Sequence, residues 1–210
     1  MMCNYILSIV KVCLTLLIGS FLLCQSEVMA ATKTWNGSTS VDWNNTANWT
    51  GGTPVNGDDV ILTGAGTFRP TNQNIANLSL ITLTIDATAT TGFTVTGNAI
   101  TLTGTGSSLV VNTAAANHTI SINVALGASQ TWDIGANRTL TVGGIISGAF
   151  SLTKIGTGQL TATGVNTYSG GTIINAGTIS TNNDQGVGAV PPSFAASNIL
   201  INNATLQISA

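Results

Sequence analysis

Histidine is the side chain best suited to proton transfer near neutral pH, and it occurs once, as His118 in Ala116-Asn-His-Thr119. The chain offers it no G-x-S-x-G serine, and the three cysteines, Cys3, Cys13 and Cys24, all lie far upstream. A base without a positioned partner reads as a structural turn residue. Asp58 and Asp59 could bind calcium or act as paired carboxylates, but directly before Val60-Ile-Leu62 they read first as a turn. Arg69, Arg138 and Lys154 are each isolated in sequence. A coiled chain could bring Arg138 and Lys154 near Asp133, giving the base and carboxylates of a polysaccharide lyase. No catalytic residue, metal site or cofactor is assigned, so the reading is not an enzyme.

Trp35, Trp43 and Trp49 are three of the four tryptophans and fall in Thr34-Trp-Asn-Gly-Ser38 and Val41-Asp-Trp-Asn-Asn-Thr-Ala-Asn-Trp49. Two readings stay open. The indoles can cap the first turn of a repeat structure and block edge-to-edge association. They can instead present their faces to sugar rings as a glycan-binding platform.

Short strands have to position all of these groups. Apolar β-formers recur at Val60–Leu62, Leu78–Ile85, Phe93–Val95, Ile100–Leu102, Leu109–Val111 and Ile120–Ile122. They continue at Leu140–Val142, Phe150–Leu152, Leu160–Ala162, Ile173–Ile174, Ile199–Ile201 and Leu206–Ile208, each bounded by Gly, Asn or Asp. No helical stripe accompanies them. The fold expected is all-β, a right-handed parallel β-helix, with a β-sandwich as the alternative. Leu102 to Ile122, Val111 to Trp132 and Leu152 to Ile173 suggest turns of about 20 residues. Asp184 to Ser197, with Pro191 and Pro192, is expected to loop out of the coil. A narrow core should leave little room for large aromatics. The unequal spacing of the Thr-x-Thr pairs, such as Thr139/Thr141 and Thr161/Thr163, argues against one flat threonine lattice.

The most specific segment runs Leu152-Thr-Lys-Ile-Gly-Thr-Gly-Gln-Leu160, Asn166-Thr-Tyr-Ser-Gly-Gly171 and Thr172-Ile-Ile-Asn-Ala-Gly-Thr-Ile-Ser180. It resembles the autotransporter-associated β-strand repeat, also called the passenger-associated transport repeat, of exported bacterial passenger domains. The resemblance rests on Leu152, Lys154, Gly156, Gly158, Leu160, Asn166, Tyr168, Ser169, Gly170 and Gly171, and is closest over residues 145–180. It implies an exported passenger segment with a structural or adhesive role, whose repeat assists export and folding. A carbohydrate-binding surface module and, further off, a lyase-like β-helix are the other readings. The implied partners are a surface glycan or a cell-surface receptor, and a translocator β-barrel that has no counterpart in this sequence.

The N-terminus agrees with export. Met1 to Lys11 is short and ends in a positive charge, Val12 to Leu23 is apolar but too short to span a bilayer, and Val28-Met29-Ala30 suits a cut. Residues 1–30 read as a signal peptide, with a lipoprotein signal at Cys24 as the rival. Removing it removes every cysteine, and so every disulfide and thiolate site. Residues 31–62 form the tryptophan-rich cap segment and 63–210 the solenoid, which reads as the opening part of a longer passenger. Only 6% of residues are charged, against roughly 25% in ordinary globular proteins. A net charge of -2 gives no reason to expect nucleic acid as partner. The expected location is the cell surface, outer membrane or extracellular space, with no transmembrane segment in the mature chain.

Overall fold

The computed structural model describes residues 30–113, 116–190 and 198–209. The segment read as a signal peptide, apart from Ala30, lies outside them, as do Pro191 and Pro192. Two short strands come first, β1 (Thr32–Trp35) and β2 (Trp49–Thr50). About seven turns of a β-solenoid follow. The first two are β3 (Asp58–Leu62) with β4 (Thr71–Gln73), and β5 (Leu78–Ile85) with β6 (Thr94–Gly97). Three turns of three strands come next. They are β7 (Ile100–Leu102), β8 (Ser107–Val111) and β9 (His118–Ile120); β10 (Val124–Leu126), β11 (Gln130–Ile134) and β12 (Thr139–Val142); and β13 (Ile146–Ser147), β14 (Leu152–Ile155) and β15 (Gln159–Ala162). The last two are β16 (Thr172–Ile174) with β17 (Thr178–Thr181), and β18 (Ile199–Ile201) with β19 (Thr205–Ile208).

Every strand pairing between successive turns among the described residues is parallel, which rules out the sandwich. A seven-stranded sheet carries β4, β6, β9, β12, β15, β17 and β19 in order. The twelve-stranded sheet holds two rows, because β5 pairs with β7 through its first half and with β8 through its second. Among the described residues no helix is long and apolar enough to cross a membrane.

Parallel register sets each inward side chain on its counterpart in the next turn, about 4.7–4.9 Å away. The strands therefore alternate buried and part-exposed residues, as in the BiBiB pattern of β3 and β11. One inward column runs Trp35, Leu62, Ile85, Val111 and Ile134, and a second runs Val60, Leu83, Leu109, Trp132, Lys154 and Ile174. On the seven-stranded sheet His118, Leu140, Leu160 and Ile179 lie in line.

Several expectations need correcting. Leu102 lies on Leu126, Val111 on Ile134 and Leu152 on Thr172, and hydrogen-bonded positions one turn apart are 20 to 27 residues apart in sequence. Corner loops of different length absorb the difference, so apolar spacing alone misplaces the register. The same loops bring Thr94, Thr119, Thr141, Thr161 and Ser180 into one outward column despite their unequal sequence spacing. β4 was not legible because it reads Thr-Asn-Gln, with Thr71 and Gln73 turned inward. Phe150 lies in a bend and is exposed. The core does admit large aromatics, since Trp132 is fully buried in mid-coil. Residues Asp184–Val187 form a 3-10 turn that buries Val187 against the coil, so the start of the expected Asp184–Ser197 loop folds back, while residues 191–197 lie outside the described residues.

Inward and outward positions of β12 give a direct test. Leu140→Ala, at a fully buried site, should cost about 2–5 kcal/mol in urea unfolding, whereas part-exposed Thr141→Ala should stay within about 0.5 kcal/mol. Similar losses at both positions would contradict this register.

Candidate functional site

The residues with the most specific sequence signal sit in the fifth and sixth turns. Lys154 lies in an inward column between Trp132 and Ile174 and is fully buried. Its straight stem fills the place an aliphatic side chain takes in other turns. The ammonium donates to three backbone carbonyls, those of Ile155 at 2.6 Å, Gly156 at 2.7 Å and Ala176 at 3.3 Å. Two belong to its own turn and the third to the next, so the side chain staples consecutive turns at a corner. Burial pushes its pKa down to about 8, against a smaller upward pull from Asp133. Gly156 follows with φ at +70°, where a Cβ would also run into the Ile134 carbonyl oxygen. Gly158 donates its N–H to Ile134.

The second half of the motif does similar work on the next corner. Asn166 is buried, accepts from the Ile146 N–H at 2.8 Å and donates to the Gly186 carbonyl at 2.9 Å. Its side chain bridges the turn before to the segment after. Tyr168 is buried with its hydroxyl 2.6 Å from Thr172 Oγ1, which in turn donates to the Val187 carbonyl at 2.6 Å. Burial raises the Tyr168 phenol to about 12, so it stays neutral. Ser169 and Gly170 donate to the Gly148 and Phe150 carbonyls, and the Gly171 carbonyl accepts from Leu152. Leu152 and Leu160 are buried in their columns.

The tryptophans form one cluster at the other end. β1 lies parallel on β3, and residues 41–43 bond to Asn72 of β4, so residues 32–43 lay down a further rung. β2 runs antiparallel on the remaining edge of β1, pairing Trp35 with Trp49. The indoles of Trp35 and Trp43 each meet Trp49 edge to face, at 5.0 and 5.3 Å. Trp49 donates its indole N–H to the Trp43 carbonyl at 2.7 Å. Trp35 and Trp43 are 0% exposed and Trp49 5%, so their faces are covered by protein. Sequence reasoning missed the hub of this loop, buried Asn48. It accepts from the Thr39 and Ser40 N–H groups and donates to the Asp42 carbonyl, and nothing in its surroundings in sequence marks it.

The remaining candidates separate. Asp58 and Asp59 point to opposite sides of β3. Buried Asp58 accepts from the N–H groups of Ala31 and Val55 and lies 3.7 Å from Lys33 Nζ, while Asp59 accepts from the Thr82 hydroxyl at 2.6 Å. No group of three His, Cys, Asp or Glu among the described residues could hold a metal ion. Lys154 is inward and Asp133 next to its strand partner is part-exposed, so the two are not ion-paired. His118 is 2% exposed, and its Nδ1 accepts from the Phe93 N–H at 2.9 Å. That bond leaves the proton on Nε2, which is buried and has no partner among the described residues. Burial first, then Arg138 and Arg69, push its pKa down to about 4.

With this geometry in place, comparison with known proteins gives two findings. Residues 152–180 match the family model of the passenger-associated transport repeat. The chain carries an autotransporter passenger repeat. It is also 32% identical over 111 residues to the adhesin BmaC autotransporter of Brucella suis biovar 1 (strain 1330), covering 53% of this chain and 3% of that protein. The chain thus spans a small fraction of that relative's length. No solved structure matches it. In the transport repeat, the side chains of Leu152, Lys154, Leu160, Asn166 and Tyr168 are buried in the coil, while Ser169 is exposed.

Two outcomes follow for titration. Lys154→Met keeps the stem but orphans three carbonyls, which should cost about 1–3 kcal/mol at pH 7. Because the folded pKa lies below the unfolded value of 10.5, the unfolded chain binds the extra proton between about pH 8 and 10.5. Wild type should therefore gain stability relative to the variant as pH rises through that window, measured by urea midpoints. His118, held neutral to about pH 4, makes the fold lose stability as pH falls from 6.5, by about 3 kcal/mol at pH 4. His118→Gln should remove that loss, and an unchanged acid limb would contradict the assignment.

Proposed function

We propose that this chain is an exported surface passenger segment with a structural and adhesive role, and that its transport repeat supports export by folding outside the membrane. The observation that carries the reading is how the repeat spends its polar residues. Lys154 and Asn166 each tie one turn to the next, and Leu160 packs between Leu140 and Ile179. These are the contacts that make adding a turn favourable, and none of them presents a reactive group to solvent. A chain whose turns pair only with neighbouring turns can fold progressively, and each added turn resists being drawn back. The absence of cysteine after Cys24 suits a chain that must cross an oxidising compartment unfolded.

The adhesive part of the reading draws on the printed name of the Brucella relative. The tryptophan segment is proposed as the cap of the coil, since β2 closes the edge of β1 and the indoles fill the space beneath. A glycan platform on Trp35, Trp43 and Trp49 would require these covered faces to open. A lyase is disfavoured because the Lys154 ammonium is held by three carbonyls inside the coil.

The test joins an epitope tag to residues 31–210, carries them on a bacterial translocator β-barrel, and measures the tag's accessibility to external protease. The double variant Lys154→Met, Asn166→Ala should lower the surface-exposed fraction severalfold and raise the periplasmic pool. Leu140→Ala serves as a destabilised control outside the motif. Equal export of the double variant and wild type would overturn the export role.

A further inference from the structure

His118 opens an inward column that continues through Leu140, Leu160 and Ile179, and the Phe93 ring lies 6.0 Å from the imidazole on the other side. Its Nδ1 accepts the Phe93 N–H at 2.9 Å, so a titratable side chain supplies one of the bonds between the second and third turns. That junction is thin on this face. β6 meets β9 at Thr94–Thr119 and Val95–Ile120, with the Thr119 and Ser121 N–H groups donating to the Phe93 and Val95 carbonyls. On the twelve-stranded sheet the same two turns are joined along both halves of β5, to β7 through Leu78–Leu80 and to β8 through Leu83–Ile85. One side of the coil is firmly joined, and the other is held by a short ladder with His118 at its end.

An imidazolium has no acceptor nitrogen. Protonated at Nδ1, His118 would face the Phe93 N–H donor to donor, inside a core that does not offset the added charge. The charged groups acting on the ring are Arg138, from the segment before β12, and Arg69, from the segment before β4, and both are positive. Because the ring is buried, a proton reaches it only when the coil is transiently open, so acid selects the open form. We propose that His118 is an acid-released latch: its protonation parts the seven-stranded sheet between β6 and β9, with the continuous β5 as the hinge, and uncovers both strand edges together with Phe93, Val95 and Ile120. In a coil whose turns touch only their neighbours, such an opening stays local. The freed edges are templates for pairing with another strand. The latch depends on neither export nor adhesion.

Hydrogen exchange of residues 31–210, followed amide by amide from pH 6.5 to about pH 4, tests the latch, each rate being divided by that of an unstructured chain at the same pH. Thr119 and Ser121 should lose protection about tenfold for each pH unit below 6.5, the slope for one proton taken up on opening. Thr163 and Asn175, bonded to the Val142 and Lys154 carbonyls in later turns, should keep theirs. His118 is the sole histidine, so its ring resonances report protonation directly and should change in step with the loss. His118→Gln keeps an oxygen for the Phe93 N–H and should leave exchange at Thr119 and Ser121 independent of pH; the wild-type slope persisting in this variant would overturn the latch. Equal loss at all four amides would mean global unfolding and overturn it too. So would a His118 ring that titrates near pH 6.5 while Thr119 and Ser121 stay protected, a result that needs no variant to fold.

Discussion

Parallel, in-register stacking is the constraint on which the rest of this structure depends. Each strand pairs with the turn before and the turn after, so an inward side chain meets its own column at one strand spacing. That distance is close contact for Leu on Leu and repulsion for charge on charge. A coil built this way fills its columns with Leu, Ile and Val and excludes charge, which accounts for the 6% of charged residues. An inward polar group left without a partner is costly in such a core, and several find one on the spot. Gln130 donates to the Leu102 and Gly104 carbonyls, and Lys154 to three carbonyls.

These inward polar residues mark where the coil changes its path. The third to fifth turns use three strands each, and the sixth uses two. Asn166 stands where the missing strand would begin. Its side-chain oxygen takes the Ile146 N–H as a backbone carbonyl would, and its amide reaches the Gly186 carbonyl across the excursion. Tyr168 and Thr172 then fix that excursion through Val187. The most recognisable sequence in the chain is thus the least regular part of the coil. A regular turn needs only apolar alternation, which many sequences satisfy, whereas a change of path needs particular donors at particular corners.

The same contrast governs what could be read from sequence. Strands with alternating apolar residues, such as Leu78–Ile85 and Leu140–Val142, were legible because period-two burial is local. Register was not, since it depends on how much chain each corner consumes, and no local pattern records that. β4 was hidden because its inward residues are Thr71 and Gln73, the latter offsetting its burial by donating to the Asn98 and Ala99 carbonyls a turn away. The transport-repeat residues were found by their spacing. Arg69, His118 and Arg138 were each visible, but their proximity comes from three separate turns and only the register assembles it.

Locality also shapes how such a coil can form. Closing each turn orders 20 to 27 residues, and loop-closure entropy varies so slowly with length that the entropic cost is nearly the same for every turn. What differs is the gain. A turn that adds only aliphatic contacts recovers its cost by burial alone, while the turns joined by Lys154, Asn166 and Thr172 add charge-assisted and buried hydrogen bonds between neighbours. The tryptophan rung gains in another way, by packing three large indoles against one another at an edge. Two strongly gaining regions separated by weaker aliphatic turns favour stacking that starts at these places and spreads between them. Polar corners and the indole cluster favour where stacking begins, and the aliphatic columns let it continue.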